Sequence, residues 1–234
     1  MQKTKAAGAW ALVAGFGLVF ATSAQAALID VQFGPSSVPL YSGGAVIGST
    51  GDQWNDFQSS SGVARALLTV SGAASGVSLT YSAQGNYDVG YDTAFNETPY
   101  VNLMRGFLYA QGTPIHLTFS GLTAGGTYNL YVYGQSDGNS PNYGGVVSGN
   151  GPSQTAYQSR DSTFVLGHNY VEFIGVANSN GQLAVLDSIA PGRGQTMVNG
   201  VQLEAATTVP EPATMTLLGL GLAALMTVKQ SRTA

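Results

Sequence analysis

The stretch Ile115-His116-Leu117-Thr118-Phe119, followed by Gly121-Leu122-Thr123-Ala124-Gly125-Gly126 and then Tyr128-Asn129-Leu130-Tyr131-Val132-Tyr133, decides the fold. Its outer parts alternate with a period of two. That period puts Ile115, Leu117 and Phe119 on one face of a strand, and Tyr128, Leu130 and Val132 on one face of another. The Gly-rich turn between them makes the whole a hairpin-like unit. Similar short segments occur at residues 28–33, 77–82, 162–166, 170–176, 182–186 and 196–203, while residues 102–110 give the one short helix read from the pattern. About eight strands is the number expected of a two-sheet jelly roll. The fold class is therefore all-β, a jelly-roll-like β-sandwich, flanked by an N-terminal signal helix and a C-terminal transmembrane helix.

Composition agrees with that class. Charged residues make up only 9% of the chain while Gly reaches 32 and Tyr 12, a turn-dense balance unlike that of Glu- and Lys-rich helical bundles. There is no Cys, which removes thiol catalysis, Cys-ligated zinc and disulfide stapling. The three lysines, Lys3, Lys5 and Lys229, all lie near the chain ends. The middle holds Arg65, Arg105, Arg160 and Arg193 against eleven carboxylates, a formal charge of −7. No basic cluster is available to displace counterions, so nucleic acid is not a partner.

Both ends read as addresses. Lys3 and Lys5 precede an apolar run over residues 9–20 and the triplet Ala24-Gln25-Ala26. Ala24 and Ala26 offer the small side chains that signal peptidase requires, so cleavage is expected after Ala26 and residues 1–26 form a signal peptide. At the other end stand Val209-Pro210-Glu211-Pro212-Ala213-Thr214, an apolar run over residues 215–228, and Lys229 and Arg232. The prolines hold the strip extended. The run, with no polar face, is expected to be a transmembrane helix whose basic end stays cytoplasmic. Residues 27–205 are the folded domain between these addresses, and 206–234 are the tail.

The order Pro-Glu-Pro, apolar span, basic end resembles the PEP-CTERM sorting signal of bacterial surface and exopolysaccharide-associated proteins. The resemblance covers about the last 26 residues. It implies an exosortase as partner, with Val209, Pro210, Glu211 and Pro212 as the recognition strip. It also implies an inner-membrane-anchored intermediate and then a cell-surface or extracellular-matrix destination. The tail Lys-Gln-Ser-Arg is less basic than the usual Arg-rich end, and a permanent anchor without processing is the alternative. In the middle, Gly121-Leu122-Thr123 with Thr127-Tyr128-Asn129-Leu130-Tyr131, then Asn169-Tyr170-Val171 with Phe173, and Val198 to Leu203, resemble galactose-binding-like jelly rolls. Such domains often bind carbohydrate through loop aromatics.

Several residue sets carry groups capable of chemistry. Gly134-Gln135-Ser136-Asp137-Gly138 fits G-x-S-x-G, and Asp161 and His168 follow in hydrolase order, but loop residues stand where the nucleophile elbow needs a helix. No catalytic residue is assigned and the domain is read as non-enzymatic. Asp52 with Asp56, and Asp88 with Asp92, sit in loops where a structural Ca²⁺ could gather oxygens, but neither pair matches a calcium-loop pattern, solvated Asx-turns are the favoured reading, and no cofactor is otherwise indicated. Trp54, Tyr87, Tyr91, Tyr100 and Tyr143 fall among Asn and Asp, a mixture that stacks on sugar rings and bonds their hydroxyls; packing over sheet edges is the competing account. The leading reading is an exported structural surface or matrix protein, and the second is a lectin-like module with polysaccharide as partner.

Overall fold

Apolar residues at alternate positions point from two facing sheets into one shared interior. The computed structural model describes residues 27–137 and 142–206. Its strands are β1 (Ile29–Phe33), β2 (Trp54–Phe57), β3 (Ser61–Leu68), β4 (Ala74–Ser82), β5 (Gly85–Asp88), β6 (Gly106–Ala110), β7 (Ile115–Ser120), β8 (Thr127–Tyr133), β9 (Gly144–Gly149), β10 (Gly151–Tyr157), β11 (Tyr170–Val176), β12 (Gln182–Ile189), β13 (Thr196–Val198) and β14 (Gly200–Ala205), with one short helix, α1 (Val101–Arg105). The first sheet runs β11-β8-β14-β1-β2, the second β10-β9-β12-β7-β4-β3, and a small third sheet β13-β6-β5. Pairing is antiparallel throughout these sheets except between β1 and β2, which run parallel.

Ile115, Leu117 and Phe119 of β7 and Leu130 and Val132 of β8 all lie in the main core, with Tyr128 at its edge. The two strands do not pair as a hairpin. β7 bonds to β12 and β4, whereas β8 bonds to β11 and β14, so the turn carries the chain from one sheet across to the other. The reason lies in the pattern itself: each strand has one apolar face, and facing those two sets across a sandwich buries both.

The other side of the first sheet is covered as well. Tyr41, Trp54, Phe95, Leu103, Met104, Tyr131 and Tyr133 form a second core, joined by Tyr100, Phe164 and Tyr170. Polar side chains on that face are buried but bonded. Gln32 Oε1 accepts from Tyr41 N at 2.7 Å, Gln32 Nε2 donates to Pro39 O at 3.0 Å, and Gln202 Nε2 donates to Asp30 Oδ1 at 3.0 Å. The two Gln32 bonds, with Gln202 Nε2 donating to Ile47 O at 3.2 Å, fasten the 34–53 segment over the sheet.

Three sequence expectations give way here. Residues 162–166 form no strand, because Phe164 turns into the second core with its ring 4.8 Å from Tyr100 and 5.1 Å from Tyr133. Residues 196–203 split into β13 and β14, which belong to different sheets. The helix expected over 102–110 stops at Arg105, and β6 follows, because Leu108 and Ala110 alternate into the main core. Among the described residues no helix is long and apolar enough to cross a membrane. The signal helix, the cleavage residues Ala24 and Ala26, the strip Val209 to Pro212 and the apolar tail all lie outside the described residues.

Candidate functional site

The alternation that sends Leu108 and Ala110 inward sends Phe107 and Tyr109 to the other face of the small third sheet. There Tyr87 stands opposite Phe107 in register, their ring centroids 6.0 Å apart, and Gly85 stands opposite Tyr109. Tyr143, bridged to Gln195, completes the aromatic set. Together with Val89, Gln111, Ser136, Asp137 and Gln195 they line an open groove of about 240 Å³. Tyr87 is 56% exposed, while Phe107, its register partner, is buried.

The polar rim is partly ordered. Gln111 Nε2 donates to Gln195 Oε1 at 3.1 Å, and Ser136 Oγ donates to Asp137 Oδ1 at 3.3 Å. Gln135, next in the chain, is locked by Asn199 Oδ1, which accepts from its backbone N–H at 2.6 Å, and by Gln135 Nε2 donating to Ser159 O at 2.7 Å. These bonds fix the loop that leaves β8 and so fix one wall of the groove.

Of the aromatic residues singled out in the sequence, Tyr87 and Tyr143 meet in this groove. Tyr91 does not line it: it sits in a short 3₁₀ turn, 66% exposed, with the Arg105 guanidinium 5.0 Å from its ring centroid. Trp54 is a correction. It is 5% exposed in β2, its Nε1 donates to Gly43 O at 2.8 Å, and its ring packs on Tyr41 at 5.4 Å, so its place is the second core. Phe107 and Tyr109 escape the sequence reading because they fall in the expected helix; the alternation Phe107-Leu108-Tyr109-Ala110 is the signal that marks them.

The acid pairs are used locally. Asp88 accepts from Arg105 through two 2.9 Å bonds, from Ser37 Oγ at 2.8 Å and from Gly90 N at 2.7 Å; burial raises its pKa, but these bonds, Arg105 foremost, outweigh it and hold the carboxyl below the usual range. Asp52 Oδ2 accepts from Ser49 N at 2.6 Å, and Asp56 Oδ2 from Gln58 Nε2 at 2.7 Å. Among the described residues no three acidic or imidazole side chains gather as metal ligands.

The hydrolase-like set has a definite geometry. His168 Nδ1 lies 2.8 Å from Asp161 Oδ2, and the same oxygen accepts from Ser159 Oγ. The carboxylate stands between hydroxyl and imidazole, whereas serine activation needs the imidazole between hydroxyl and carboxylate. Hydrogen bonds from Ser159 and His168 pull the Asp161 carboxyl down. The hydroxyl of Ser136 is committed to Asp137.

The chain ends define the opposite pole. β8 runs from Tyr128, paired with Ala205, to Tyr133, paired with Gly200. The groove residues Ser136 and Asp137 come just after that second end, roughly 20 Å along the strand from the first. Ala27, Leu203 and Ala205 line a separate cleft at the first end, and Ala206 N is bonded there to Thr127 O at 2.9 Å. Ala206, the last described residue, therefore lies at this end of the domain. A family model described as the PEP-CTERM protein-sorting motif matches residues 208–230.

The chain carries a PEP-CTERM sorting signal. That signal implies export, an exosortase as the processing partner, and a membrane-held stage before release. No curated protein matches the chain. The matched residues begin two positions beyond Ala206, the last described residue.

Proposed function

We propose that this protein is a non-enzymatic component of the cell surface or extracellular matrix that holds polysaccharide in the groove of Tyr87, Phe107, Tyr109 and Tyr143. One observation carries the reading: aromatic and hydrogen-bonding side chains converge on an open cleft at the end of β8 away from Ala206. Ring faces stack on the C–H faces of pyranoses, and amides and hydroxyls bond sugar hydroxyls. An open groove suits a stretch of polymer, whose remaining length stays outside. The two-sheet sandwich supports the galactose-binding-like, jelly-roll reading, although three of the four groove aromatics sit on strands and only Tyr143 on a loop, and a surface destination follows from the company PEP-CTERM proteins keep. Signal peptidase removes residues 1–26, and the tail holds the chain in the membrane until the exosortase acts.

The Asp161-centred arrangement of Ser159 and His168 favours a holding role over hydrolysis. The test is retardation of the full-length chain, kept in mild detergent, in gels containing neutral polysaccharides. Retardation that disappears in both Tyr143→Ala and Tyr87→Ala supports the proposal. Unchanged retardation in both variants, or none with any polymer, refutes it and leaves a purely structural component.

A further inference from the structure

Charge decides which polymer the groove accepts. Among its described lining residues the one charge is Asp137, and the polar remainder is Ser136, Gln111 and Gln195. No Arg or Lys is among the described lining residues, Arg160 and Arg193 included. Arg105 is paired to Asp88, both side chains 12% exposed, and the Arg193 guanidinium lies 5.0 Å from the Tyr157 ring centroid, outside the lining. The Gln111–Gln195 bond leaves Gln111 Oε1 as an acceptor and Gln195 Nε2 as a donor, a neutral pair matched to hydroxyl groups.

We infer that the groove takes uncharged hexose polymers and rejects those bearing carboxylates. The inference rests on the polysaccharide-holding reading above and narrows it. A uronate brought to hydrogen-bond distance of this rim meets the Asp137 carboxylate and no arginine or lysine among the lining residues. Like charges at such distances weaken binding by about tenfold when the site is partly desolvated. The domain around the groove carries formal charge −7, which adds to the repulsion at low salt.

The test uses polymer pairs that share a backbone and differ in charge: hydroxyethylcellulose against carboxymethylcellulose, and guar galactomannan against carboxymethyl guar, all with chelator present. The full-length chain in mild detergent is run through gels of each. The expected result is retardation by a neutral member at least about tenfold stronger than by its acidic counterpart, with that ratio narrowing in Asp137→Asn. Equal or stronger retardation by an acidic member, abolished in Tyr143→Ala, overturns the charge inference while leaving the groove a glycan site. No retardation by any of the four overturns the glycan reading itself. An Asp137→Asn ratio equal to that of the wild type removes Asp137 as the cause and overturns the inference.

Discussion

A β-carbon placed on Gly85 falls 2.6 Å from the ring of Tyr109. The two residues are register partners on β5 and β6, and the missing side chain is what lets the aromatic ring lie across the neighbouring strand. The floor of the groove is thus built from a pair, one residue supplying a surface and the other the space for it. Substituting Gly85→Ala forces the ring to move, because 2.6 Å is well inside van der Waals contact. The expected outcome is a loss of about tenfold or more in polysaccharide retardation with a far-UV spectrum like that of the wild type.

Trp54 gives the converse case. Its ring is buried between Tyr41 and Tyr133 and its N–H is bonded to Gly43 O, so Trp54→Ala is expected to destabilise the domain by about 3–5 kcal/mol in denaturant unfolding. Trp54→Phe, which keeps most of the packing, is expected to retain polysaccharide binding. Loss of binding in a stably folded Trp54→Phe places Trp54 in the site after all.

Asn55 joins the two large sheets where their edges meet. Its carboxamide accepts from Leu68 N and donates to Leu68 O, each at 2.8 Å, and donates to Asp30 O at 2.9 Å. Leu68 is partly exposed, so water replaces part of what Asn55→Ala removes. A loss of about 1–2 kcal/mol in unfolding free energy is expected.

The legibility of each strand in the sequence depends on where it lies in the fold. β1, β7, β8, β11 and β12 announce themselves because each carries an apolar set aimed at the core. β9 and β10 give no such signal: they run from Gly144 to Tyr157 among Gly, Ser and Thr, with β10 at a sheet edge where no apolar alternation is required. The parallel pairing of β1 and β2 joins segments about twenty residues apart, a relation no local period reveals. The same limit hides half of the groove. Tyr87 and Tyr143 are visible as loop aromatics, but the third sheet that brings them to Phe107 and Tyr109 depends on long-range pairing.

Asp187 gives the fold a pH dependence. It is 2% exposed, its Oδ2 accepts from Thr196 Oγ1 at 2.5 Å, and its Oδ1 makes no hydrogen bond among the described residues. The backbone of Gly145 closes over it so tightly that a β-carbon there would lie 2.2 Å from Oδ1. Burial pushes its pKa up from 3.8 to about 7, and burial does the same to Asp30. The folded chain therefore holds protons that the unfolded chain releases between about pH 4 and 7, so stability is highest at the acid end of that window and falls as pH rises through it. Melting measured from about pH 4.5 to 8 is expected to show this decline. Asp187→Asn is expected to reduce the decline to the part that Asp30 supplies, raising the melting temperature at about pH 8 and leaving it nearly unchanged at about pH 5. A wild-type curve rising across that window contradicts the assignment.

Export followed by processing at the tail is the claim on which the placement of the groove depends. Its most direct measurement is the intact mass of the protein released by an exosortase-bearing bacterium and by the same strain with the exosortase deleted. The account predicts a released species that starts at Ala27 and ends within residues 208–230 in the first strain, and a membrane-held species retaining the tail in the second. A released or cytoplasmic chain of the full 24.0 kDa, identical in both strains, would contradict it.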